Sequence, residues 1–143
     1  MEVREIMSSN VVTVGPTATL EEAARRMKQW NVGMLPVSDD GSRALGVITD
    51  RDIATRGMME GRDPKTTKIQ DVMTANVIGC GEAQPIEDAV QILEQAQIRR
   101  LVVMDDGGRI CGIVSLGDIA QRADKEMAGA VLAEHANAEK VSV

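Results

Sequence analysis

Along residues 10–57 the spacing of hydrophobic positions changes from element to element. "NVVTV" is a short β-branched run closed by Gly15-Pro16, and it predicts a strand. Leu20, Ala23, Ala24, Met27 and Trp30 then recur at helical spacing. Thr19 and Glu22 stand three apart at the front of that pattern, the spacing of a capping box, so the helix begins near Leu20. "GMLPV" and "ALGVIT" are short apolar runs separated by "SDDGSR", whose Asp-Gly pair predicts a hairpin. "DRDIATRG" opens a second helix, with Gly57 as its C′ residue. The order is β-α-β-β-α.

The same order returns downstream. "MSSNVVTVGPTATLEEAARRM" from Met7 aligns with "MTANVIGCGEAQPIEDAVQIL" from Met73, and "LPVSDDGSRALGVITDRDIATR" from Leu35 aligns with "LVVMDDGGRICGIVSLGDIAQR" from Leu101. The offset is constant and needs no gap. Roughly 18 of about 51 aligned positions are identical, so the chain is an internal duplication. Repeat 1 is placed at 1–60, a linker at 61–68, repeat 2 at 69–125, and a C-terminal helix extension with a fraying tail at 126–143. "MMEGRDPKTTK" breaks the periodicity between the repeats, and "IQDVM" repeats "VREIM" as a lead-in turn or helix. Pro85 sits at or near the start of a helix over 86–97, where a missing N–H costs little. The last helix starts near Gly117 and runs to about Ala133, before the frayed "NAEKVSV". The fold class is α/β (α+β): two tandem repeats packed with pseudo-two-fold symmetry, because one half alone buries too little surface. Packing them together creates two related clefts.

The repeated element "GVITDRD" and "GIVSLGD" places a hydroxyl, Thr49 or Ser115, at a strand end. An aspartate, Asp52 or Asp118, follows within the first helical turn. Free N–H groups and the helix dipole favour an anion there. A carboxylate one turn on can accept two hydrogen bonds from a vicinal diol. The pair therefore suits a ribose phosphate. It also suits a purely local role, with Thr49 and Ser115 as N-caps and the aspartates complementing the dipole.

Composition narrows the chemistry. The 143 residues include 43% hydrophobic residues but no Phe or Tyr and one Trp, so the core is aliphatic and Met-rich. A net charge of −6 disfavours nucleic-acid and anionic-membrane binding. Missing aromatics remove the usual base-stacking platform. No apolar run reaches spanning length and no signal-peptide core is present, which predicts a cytoplasmic protein. Cys80 and Cys111 form no C-x-x-C motif and are expected as small buried residues. The lone histidine, His135, has no ligand partner at metal spacing. Trp30 is expected in core or dimer-interface packing, and no P-loop or G-x-G-x-x-G motif occurs.

The hairpin-plus-motif segments from Leu35 and Leu101 resemble the CBS-domain pair, or Bateman module, of the free-standing bacterial type. The resemblance runs from about Arg4 to about Arg122. It implies a non-catalytic regulatory module, without a catalytic cofactor, that binds AMP, ADP or ATP and acts as a homodimer on an unidentified protein. It gives Asp52 and Asp118 to ribose, and Thr49 and Ser115 to phosphate. It places adenine against Val11, Val12, Val32 and Gly33 in the Asp118 cleft, and against Val77, Ile78 and Ile98 in the Asp52 cleft. Arg99 and Arg100 stand where some adenylate-sensing relatives carry phosphate contacts, and Arg51 lies inside the first motif. Gly33 and Met34 replace the arginines in repeat 1, so the clefts are expected to differ. The alternative is a dimerisation or partner-docking module with vestigial sites. An enzyme is disfavoured because the pair fills the chain and leaves no room for a catalytic barrel.

Overall fold

The structure is a computed structural model. It describes residues 1–134, with side chains as far as Lys125. His135 and the tail "NAEKVSV" lie outside the described residues.

Helix α1 (Leu20–Trp30) begins where Thr19 Oγ1 accepts the Glu22 N–H at 3.2 Å. It ends at Asn31, which adopts φ 53°. Strands β1 (Met34–Val37) and β2 (Gly46–Thr49) pair antiparallel, Leu35 opposite Ile48. Helix α2 (Asp50–Asp52) is a single turn that widens at once into a π-helix over Ile53–Met58. Repeat 2 follows the same order: β3 (Gly79–Gly81), α3 (Ile86–Ala96), β4 (Arg100–Met104), β5 (Ile110–Ser115) and α4 (Leu116–Glu134). Gln97 ends α3 with φ 54°, matching Asn31 one repeat earlier. The sheet order is β3-β4-β5, parallel then antiparallel.

Three expectations are corrected. "NVVTV" is not a strand: only Val14 pairs, in one parallel bridge to Val37. Val14 N–H donates to the Pro36 carbonyl and Ser38 N–H to the Val14 carbonyl. Extending this ladder towards Val12 would require an N–H at residue 36, which proline lacks. Repeat 2 has Val102 there, and β3 forms against it. Gly57 is not a C′ residue either. It is buried inside the π-helix, where a Cβ would stand 2.9 Å from Leu20 Cδ1, and the left-handed glycine is Gly61 at φ 72°. Of the core or dimer-interface packing expected for Trp30, the core alternative is overturned: the α1 face that packs is Leu20, Ala23 and Met27, and Trp30 is 48% exposed.

The two hydrophobic cores exchange their lead-in segments. Val3 belongs to the core of Cys80, Ala89, Leu93, Leu101, Val103 and Val114. Ile69 and Val72 belong to the core of Val14, Leu20, Leu35 and Ile48. Both lead-ins are single 3₁₀ turns, Val3–Glu5 and Ile69–Asp71. Backbone bonds fix them: Val3 N–H to Gln84 carbonyl at 2.9 Å, and Ile69 N–H to Ala18 carbonyl at 2.8 Å. Ser8 pairs with Ile113 and Thr74 with Val47. Each repeat thus completes the other, which explains how halves this small stay folded.

Candidate functional site

The repeated motif forms a reciprocal cap in both halves. Asp52 N–H donates to Thr49 Oγ1 at 3.0 Å, and Thr49 N–H donates to Asp52 Oδ2 at 3.1 Å. Asp118 N–H donates to Ser115 Oγ and Ser115 N–H to Asp118 Oδ2, both at 3.0 Å. The local role expected of these residues is therefore real. Each cap uses one carboxylate oxygen and one hydroxyl lone pair, leaving acceptor capacity on both groups.

What differs is the surroundings. A cavity of about 260 Å³ opens between the repeats on the Ser115 and Asp118 side. Val11, Val12, Val32 and Gly33 from repeat 1 meet Arg100, Ser115 and Asp118 from repeat 2 there. Seven residues of the sequence expectation are thus brought to one place. Ser8, Asn10, Asn31, Met34 and Ile113 also line it and were missed. A signal existed for Ser8. It occupies the repeat position of Thr74, so a hydroxyl follows the lead-in methionine in both halves. Arg99 is not in this cavity. It lines an adjoining one of about 470 Å³ with Leu116, Gly117 and Ala120, and Arg100 and Ser115 border both.

The Thr49 and Asp52 side is more occupied by the protein itself. Thr74 Oγ1 donates to Asp52 Oδ2 at 3.5 Å. The helix N-terminus is also filled. Asp50 N–H goes to Gly33 carbonyl at 3.0 Å, Arg51 N–H to Asp50 Oδ1 at 2.8 Å, and Asp52 N–H to Thr49. The expectation of free N–H groups there is corrected for repeat 1. In repeat 2 Leu116 N–H goes to Arg99 carbonyl at 2.8 Å, but Leu116 offers no side-chain acceptor to Gly117. Asp50 also adds negative charge where an anion would sit. Arg51 is exposed, and Ile78 and Ile98 are partly buried against the repeat 2 core, with Val77 also half-buried.

Among the described residues, no cluster of three His, Cys, Asp or Glu side chains could hold a metal. None of their helices is long and apolar enough to cross a membrane. Cys80 is buried as expected, whereas Cys111 is half-buried.

Comparison with known proteins agrees with this architecture. A CBS domain-containing protein of Bacillus subtilis is 42% identical over 131 residues, covering 91% of each chain. The solved structure of Hypoxic Response Protein I, with two coordinated zinc ions, is 33% identical with a TM-score of 0.74; the match covers 85% of this chain and 98% of that one. A solved CBS domain pair in complex with 5-methylthioadenosine and S-adenosyl-L-methionine is 28% identical with a TM-score of 0.79, covering 88% of this chain and 98% of that one. The CBS domain family matches residues 3–58 and 69–125, one match to each repeat. With two matched repeats whose cores complete one another, the chain belongs to the CBS domain family as a tandem pair.

Proposed function

We propose that the chain is a non-catalytic regulatory module that binds an adenine nucleotide, AMP, ADP or ATP, in the Asp118 cleft. The observation that carries this is the convergence of Asp118, Ser115 and Arg100 with Val12, Val32 and Gly33 around one inter-repeat cavity. Asp118 Oδ1, left outside the cap, accepts from the ribose hydroxyls. Ser115 and Arg100 hold phosphate. Val12 and Val32 give the base an apolar wall. The related CBS pair solved with two adenosine-containing ligands supports the ligand class. The Asp52 cleft is a weaker site, since Thr74 and the filled helix N-terminus already use its polar groups.

Because the cavity is lined from both repeats, a bound ligand biases their relative packing by its differential affinity for the two arrangements. A homodimer acting on a separate regulated protein in the cytoplasm is the setting this reading implies. Calorimetric titration with AMP, ADP and ATP tests it, with Asp118→Ala and Asp52→Ala in parallel. Saturable binding abolished by Asp118→Ala is expected. A folded protein that binds none of them would leave a partner-docking module with vestigial sites.

A further inference from the structure

We infer that the nucleotide taken by the Asp118 cleft carries a chain of at least two phosphates, running from the inner cavity over Arg100 and Ser115 into the outer one. This rests on the nucleotide reading above and specifies its ligand. The inner cavity, about 260 Å³, holds the apolar wall and Asp118. The outer cavity, about 470 Å³, holds Arg99 and the first turn of α4, with no carboxylate among its lining residues. Arg100 and Ser115 border both spaces, so a group bound to them has open room beyond it rather than a wall.

Charge points the same way. In a chain of net charge −6, two consecutive arginines converge on this opening. Neither takes part in the salt bridges formed among the described residues. An adenosine monophosphate bound at Asp118 would satisfy Arg100 and leave Arg99 without a partner. A second phosphate would reach Arg99 and the Gly117 N–H, where the helix dipole also favours anions. The duplication supplies an internal control. At the positions equivalent to Arg99, Arg100 and Leu116, repeat 1 has Gly33, Met34 and Asp50. The two cations are absent there, and the Asp50 carboxylate lies beside Gly33 close to Arg100, so the paired-arginine path exists on one side only.

The test is a titration ladder of the full chain with adenosine, AMP, ADP and ATP at fixed ionic strength. The expected result is a gain of about tenfold or more in affinity from AMP to ADP, as charge-assisted bonds to a second phosphate allow. In Arg99→Gln the ratio of ADP to AMP affinity should fall towards one. AMP binding as tightly as ADP, with adenosine weaker, would overturn this inference and leave the nucleotide reading intact. So would an Arg99→Gln variant that weakens AMP and ADP by the same factor. Adenosine binding as tightly as ADP would overturn both, and so would failure of all four ligands to bind.

Discussion

The guanidinium of Arg100 lies over the α-carbon of Gly33. A Cβ on Gly33 would stand 2.5 Å from Arg100 Nη2 and 2.9 Å from Asp50 Oδ2. Gly33 is therefore the seat that lets an arginine of repeat 2 reach across to repeat 1 at the mouth of the cavity. The clashing atoms are the ends of flexible side chains, so Gly33→Ala should displace Arg100 while costing less than about 1 kcal/mol of stability. On the proposed nucleotide reading, affinity should fall by roughly tenfold as the guanidinium is displaced from the cavity mouth. Paired urea melts and titrations separate the two effects. A large loss of stability with affinity retained would refute this role for Gly33.

The exchanged lead-ins give a mutation that acts across the repeat boundary. Ile69 is fully buried in the core of repeat 1 although it opens the sequence of repeat 2. Ile69→Ala should cost about 2–5 kcal/mol in urea denaturation. Hydrogen exchange should show the first losses of protection in β1 and β2. Removing residues 1–6, which include Val3 from the other core, should instead expose β3, β4 and β5.

Asp40 gives a pH dependence with a definite sign. Its Oδ1 accepts from the Ser42 N–H at 2.8 Å, the Arg43 N–H at 3.1 Å and the Ser38 hydroxyl at 3.1 Å. The backbone bond from Ser42, then that from Arg43, then the Ser38 hydroxyl hold its carboxyl below the usual carboxylate value of 3.8. A depressed folded value contributes stability above the unfolded pKa of about 4, lost as pH falls through the folded one. Asp40→Asn keeps an acceptor but removes the titration. Between pH 6 and pH 3 the wild type should lose more stability than this variant, read from urea midpoints.

The thiols should be slow and unequal. Burial pushes Cys80 up to about 11, with Cys111 nearby adding to the shift. Burial also raises Cys111, which is half-buried. Cys80 on β3 and Cys111 on β5 are separated by β4. Two strand spacings come to about 9.6 Å, beyond the roughly 7 Å limit for a disulfide. Iodoacetamide at pH 8 should label Cys111 first, label Cys80 only on unfolding, and leave no oxidised intramolecular pair. Mass spectrometry of timed samples reads all three outcomes.

The caps of the two clefts should contribute equally to folding but not to binding. Thr49→Ala and Ser115→Ala each remove one side-chain acceptor from a helix start and should cost about 1 kcal/mol. Only Ser115→Ala should also weaken nucleotide binding, because Ser115 borders both cavities. Equal loss of affinity in both variants would mean that the Asp52 cleft is also loaded.

Several features were legible because they depend on neighbours in sequence. The helix starts at Leu20 and Ile86, the hairpins and the hydroxyl N-caps at Thr49 and Ser115 follow from residue type at short spacing. The return bonds that Asp52 and Asp118 accept were not anticipated. The constant offset between halves fixed the duplication. Even so, near-identical local sequence did not fix every detail. "DDG" occurs in both hairpins, yet Asp40 organises the first loop and Asp105 the second. The left-handed glycine is Gly41 in one and Gly108 in the other. "SDDGSR" has a single glycine to take that conformation, whereas Gly107-Gly108 offers two.

Other features were settled by contacts distant in sequence. The failed strand at "NVVTV" depended on which residue lay beside it, and that residue is Pro36. Gly57 was given a turn role that tertiary packing against Leu20 overrode. The lead-in exchange was invisible because Val3 and Ile69 look alike in either core. Sequence by itself determined the repeat, most of the elements and the paired hydroxyl and aspartate at each helix start, since those rest on local spacing and residue chemistry. Only the tertiary structure decided which cleft keeps its polar groups open. That outcome turns on Thr74 and Arg100, which reach across to the other repeat, and no local pattern encodes which residue a distant strand will place beside them.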